Sequence, residues 1–104
     1  MALTIKTDNP MGLLTAIKKA IDVNTIVTWA YDNDGDFTHT PEQWVNKAWL
    51  RPKVETGELK FLIIAPKDTN LTKVVSGIYH GRFIEMLTSH FETKFSTATA
   101  TIPL

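Results

Sequence analysis

The sequence contains no cysteine. That removes disulfides, thiolate nucleophiles and cysteine-bound zinc together, and it fits a reducing compartment. It also carries no net charge, with 11 Lys+Arg against 11 Asp+Glu. A chain built to grip a nucleic-acid backbone usually has a basic excess that neutralises phosphates, so the balance disfavours nucleic acid as a partner. No run approaches the roughly 20 apolar residues of a membrane span, and no membrane partner is expected. The stretch Met11 to Ile17 is short and is followed by Lys18 and Lys19, the reverse of a signal peptide's order. These absences together lead us to expect a cytoplasmic protein. Repeats, linkers and low-complexity blocks are absent too.

What is there suits one domain over residues 1–104, with 43% hydrophobic residues, five Phe, three Trp and two Tyr. A chain of this size buries about two-thirds of its unfolded surface, enough for one modest core. Leu3 to Thr7 alternates apolar and polar residues as a short edge strand would. Asn9 can cap a helix and Pro10 suits its first position, so a helix is predicted over 10–22 with Leu13, Leu14, Ile17 and Ile21 on one face. Thr25 to Tyr31 is β-branched and aromatic, and Asp32-Asn33-Asp34-Gly35-Asp36 reads as a turn into a return strand over 37–40.

Thr40-Pro41-Glu42-Gln43 resembles a capping box opening one helical turn. A strand is predicted over 44–51, ended by Pro52, then a hairpin at 55–58. Phe61-Leu62-Ile63-Ile64 is the most apolar run and is placed as the central strand, covered on both faces or nearly so. Asn70 or Thr72 caps a long helix reaching about residue 92, with Val75, Ile78, Tyr79, Phe83, Met86 and Leu87 as its apolar stripe. A Thr-rich strand over 93–104 closes the chain. The order predicts an α+β fold: a mostly antiparallel sheet with two helices on one face.

No assembled catalytic motif emerges. Asp32, Asp34 and Asp36 suggest calcium, but aligning an EF-hand loop on Gly35 puts Ala30 and Pro41 at ligand positions, so the cluster reads as turn chemistry. His80 and His90 lie ten apart on one helix, about 80° apart around its axis and about 15 Å apart along it, so with His39 they do not make a zinc site. No metal or cofactor is expected. Ser76 and His80 are helix neighbours but lack a nucleophile elbow or an oxyanion loop.

Three readings remain. Gly77 and Gly81, with Ile84 at their border, form a small face on the long helix, where glycine costs about 1 kcal/mol relative to Ala. Such a pair implies close approach of another backbone, either from the same chain or from a second copy. With the Thr-rich strands, it favours a non-catalytic interaction module whose partner is a protein or a homodimer. The alternative is a small-ligand domain or small enzyme with a polar cleft of His39, Arg51, Arg82 and Glu85. The weakest is single-stranded nucleic-acid binding by the aromatic and basic segment Trp44 to Lys53.

Overall fold

In the computed structural model, which describes residues 2–101, the chain forms β1 (Ala2–Lys6), α1 (Pro10–Asp22), β2 (Trp29–Tyr31), β3 (Phe37–His39), β4 (Trp49–Glu55), β5 (Glu58–Ile64), α2 (Lys73–His90) and β6 (Thr97–Ala100). The strands make one antiparallel sheet in the order β2-β3-β4-β5-β1-β6. The fold is α+β, as the element order predicts.

Local chemistry sets the helix starts. Asn9 Oδ1 accepts the Gly12 N–H at 3.0 Å, with Pro10 at the first helical position. A Cβ on Gly12 would collide with that Asn9 side chain, so the cap and the glycine depend on each other. Thr72, not Asn70, caps α2 by accepting the Val75 N–H at 3.2 Å. Thr40 does not cap. Its hydroxyl donates to the Val27 carbonyl at 2.7 Å, while Pro41 O receives Trp44 N–H and Val45 N–H to form the single turn. No helix among the described residues is long and apolar enough to cross a membrane.

Three strand expectations need correction. The first concerns β1, which is an interior strand, with β5 on one side and β6 on the other, and Leu3 and Ile5 fully buried. Its alternation resembles an edge strand because only one sheet face is covered. Next, β4 starts at Trp49 and runs through Pro52. Thr7 N–H bonding to Gly57 O at 3.1 Å fixes the phase of the ladder. By alternation, the Pro52 nitrogen then faces away from β5. It lies beyond Leu50, where pairing with β3 ends, so the missing N–H costs no ladder bond. Finally, β5 is interior but covered on one face only, because Leu59 and Phe61 are buried while Leu62 is 48% exposed. The expected C-terminal strand is short, and its end at 102–104 lies outside the described residues.

The covered face holds one core. Leu13, Leu14 and Ile17 of α1 and Tyr79, Phe83, Met86 and Leu87 of α2 join Leu3, Ile5, Leu50, Leu59 and Phe61. The buried side of α2 also includes Ser76 and His80, so it is rotated from the purely apolar stripe, and Val75 and Ile78 are only half-buried. His90 is exposed at the helix end.

The opposite sheet face is charged. Glu55 and Glu58 sit directly across from each other at the hairpin, a repulsive placement. Lys53, Lys60 and Lys6 answer it: Lys6 meets Glu58 at 2.6 Å, Lys60 meets both acids at 3.5 and 3.7 Å, and Lys53 meets Glu55 at 3.5 Å. The Lys6 hydrogen bond holds the Glu58 carboxyl below the usual carboxylate range. Gly57, at φ +74°, supplies the left-handed residue that closes this hairpin.

Candidate functional site

The Asp32–Asp36 segment is built as a turn. Asp32 Oδ1 accepts the N–H groups of Asp34 and Asp36, both at 3.0 Å. The three carboxylates come within 4.8 Å of one another, but Asp36 is committed elsewhere. Its buried carboxylate takes Arg51 in a two-pronged bond, Nε at 3.0 Å and Nη2 at 2.8 Å. Those bonds push Arg51 further above its already high range. Arg51 projects from the sheet face opposite core-facing Leu50, apart from the other cleft candidates.

The remaining three do converge. His39, Arg82 and Glu85 line one cavity of about 250 Å³, together with Thr28, Trp29, Pro41, Gln43, Trp44, Met86, Ser89 and His90. Residues 82, 85, 86, 89 and 90 fall on one side of α2 by helical spacing. The facing wall is the 41–44 turn, and the floor is the edge pair β2–β3, where Trp29 lies opposite His39. Their rings stack at 4.6 Å with a 32° tilt.

His39 is 5% exposed. Its Nδ1 lies 2.7 Å from the Thr28 carbonyl. A carbonyl only accepts, so Nδ1 carries the proton and Nε2 keeps a bare lone pair. Among the described residues Nε2 has no hydrogen-bond partner. Burial holds the imidazole pKa below its usual value, partly offset by the Thr28 bond; Arg82 lowers it further and Glu85 raises it. Arg82 and Glu85 are about half and two-thirds exposed, and touch through one contact of 3.6 Å. Such an exposed pair is worth little and is readily exchanged for a better partner.

Beside the cavity, Thr38 anchors the wall. Its hydroxyl receives Asn46 N–H at 3.0 Å and shares its one proton between Ala48 O at 3.1 Å and Tyr79 Oη at 3.0 Å, while Tyr79 Oη donates to Trp44 O. This network ties the 41–48 loop to β3 and α2. His80 is a different case. It is buried in the core, its Nδ1 lies 2.7 Å from Ser76 O, and its Nε2 has no partner. Ser76 and His80 share the buried side of α2 and line no cavity with His39. Of the aromatic segment's three basic residues, Lys47, Arg51 and Lys53, the last two each hold a carboxylate.

Two surfaces bear on association. Gly77 and Gly81 are exposed, and a Cβ at either would meet nothing within 4 Å. The intrachain close approach implied by the glycines is therefore absent among the described residues, and Val74 on the same side is 65% exposed. Ile84 borders this face half-buried. Gly77→Ala and Gly81→Ala should each raise monomer stability by about 1 kcal/mol, because helix propensity improves and no space is lost. A urea midpoint that falls rather than rises would contradict this open-face geometry.

The second surface is β6. Thr101 N–H bonds to Ala2 O at 2.8 Å, so by alternation Thr97 and Thr99 turn their peptide groups toward β1. Ala98 and Ala100 therefore direct their N–H and C=O groups outward. Among the described residues no strand meets that edge. No family model, no curated protein and no solved structure matches this chain.

Proposed function

We propose that this protein is a non-catalytic interaction module that associates with a second copy of itself along the β6 edge. The outward peptide groups of Ala98 and Ala100 carry the reading. Native edges are usually blunted by charge, proline, a bulge or a cover. Thr97–Ala100 has neither charge nor proline. An antiparallel pairing about a two-fold axis at Thr99 brings Ala98 opposite the partner copy's Ala100 and the reverse. Four N–H···O bonds then close, and Thr99 meets its own copy at the close, non-hydrogen-bonded position. At about 1 kcal/mol net per bond, the dimer is weak and concentration-dependent. Zero net charge gives little electrostatic barrier to it. The cytoplasmic placement belongs to the same reading and rests on the lack of cysteine.

Light scattering across a concentration series tests it. Thr99→Lys and Thr99→Glu should each weaken the dimer, since like charges then face each other, and mixing the two variants should restore it. Ala98→Pro should abolish it while leaving the β1 ladder intact, because only an outward N–H is lost. A monomer at every concentration overturns self-association. A dimer indifferent to these changes but abolished by Gly81→Leu moves the contact to the α2 glycine face.

A further inference from the structure

We propose that the cleft between the 41–44 turn and α2 binds a small aromatic monocarboxylate bearing a hydroxyl group. The site is separate from the β6 edge and does not rest on self-association.

Size sets the first limit. A cavity of about 250 Å³ lies below the roughly 300–1,000 Å³ of drug-sized sites, so the occupant is small. Its walls set the second. Half-buried Trp44 presents indole surface, the fully buried Trp29 backs the floor, and Met86 and Pro41 add apolar atoms. A flat ring fits such a lining, through stacking and through the adaptable thioether.

The polar groups then fix the substituents. His39 Nε2 is an acceptor whose tautomer is set by the Thr28 carbonyl. It asks for a donor, and a hydroxyl supplies one. Arg82 presents a guanidinium engaged by a single 3.6 Å contact with Glu85. A carboxylate offers it two parallel hydrogen bonds, a stronger arrangement than the pair it replaces. Glu85 stays beside the bound group and limits its charge. It tolerates one negative charge poorly and two worse, which favours a carboxylate over a phosphate dianion.

The test is a titration followed by NMR, using 2-, 3- and 4-hydroxybenzoate. The three isomers place hydroxyl and carboxylate at different separations and so read the spacing between His39 and Arg82. At least one should shift the Trp29 and Trp44 indole signals and bind roughly tenfold more tightly than benzoate, which lacks the donor for His39. The matching hydroxybenzamide, which lacks the charge, should bind roughly tenfold more weakly than its acid. Arg82→Gln, at an exposed position, should bring acid and amide to the same affinity. His39→Phe should erase the preference for the hydroxyl; if that variant unfolds, the benzoate comparison on the native chain carries the point. No shift from any isomer at about ten millimolar overturns the proposal, since that concentration would reveal even millimolar binding. Equal binding of benzoate, an unchanged Arg82→Gln titration, or inorganic phosphate seated in the cleft overturns it as well.

Discussion

Phe83→Ala is expected to remove about 3–5 kcal/mol of folding stability, the cost of a large cavity in a close-packed core. Phe83 is fully buried. Its ring lies 4.9 Å from Trp29, 5.9 Å from Phe37 and 4.6 Å from Phe61. One side chain of α2 thus joins β2, β3 and β5, including both strands that floor the cleft. Edge-on and tilted ring contacts add about 0.5–1.5 kcal/mol each beyond area burial, so truncation loses contacts as well as volume. Domains of this size have only about 5–15 kcal/mol in total, and the variant should melt many degrees lower. Urea unfolding followed by tryptophan fluorescence reads it directly. Phe83→Leu should cost clearly less, because it leaves a smaller void. Val74→Ala, on the exposed side of the same helix, should stay within about 0.5 kcal/mol. A loss below about 1 kcal/mol for Phe83→Ala would mean that the aromatic cluster does not hold α2 to the sheet.

What the sequence made legible follows from how local each signal was. The first helix was readable at both ends because Asn9, Pro10 and the Leu13–Ile17 spacing all act within one or two turns. The rotation of α2 was not, because Ser76 and His80 take buried positions that hydrophobic periodicity assigns to apolar residues. The interior place of β1 depends on pairing with β6, some ninety residues away, and no local pattern reports that. Pro52 looked like a strand end because the sequence does not say which neighbour each peptide group faces. In the cleft, Arg82 and Glu85 were visible as helix neighbours, and His39 joined them. Arg51 was misleading for a simple reason. It follows core-facing Leu50 in β4, so alternation sends its side chain to the uncovered sheet face, where it pairs with Asp36. The same pairing alters the charge map. Two basic residues of the 44–53 segment meet acids of neighbouring turns, Arg51 with Asp36 and Lys53 with Glu55. Trp44 and His90 line the cleft too, but the sequence offers Trp44 only as part of an aromatic and basic segment and His90 only as a poorly spaced zinc ligand.

Acid should destabilise the protein before its carboxylates titrate. Burial is the chief cause that lowers the pKa of both His39 and His80, so the folded state resists protonating them. In the unfolded chain a histidine takes up its proton near pH 6.5. Above that pH both states are neutral at these sites and the histidines contribute no pH dependence. As pH falls below about 6.5 the unfolded state binds protons that the folded state refuses, and stability drops. The slope is about 1.4 kcal/mol per pH unit for each histidine still neutral in the fold, and it ends where the lowered folded pKa is reached. His80 should dominate, because its Nε2 is buried without a partner, and a proton placed there would be a buried charge with no acceptor. The Lys6-paired Glu58 acts in a separate, lower window, since its pKa is depressed from the carboxylate range and its contribution is lost only as pH falls through that value. Urea midpoints at half-unit steps from pH 8 to pH 5 read the histidine window alone, above the range in which Glu58 titrates. His80→Leu keeps a similar volume, cannot titrate, and should flatten the dependence below about pH 6.5 by one proton's worth. An unchanged slope in His80→Leu would show that His80 accepts its proton within the folded core.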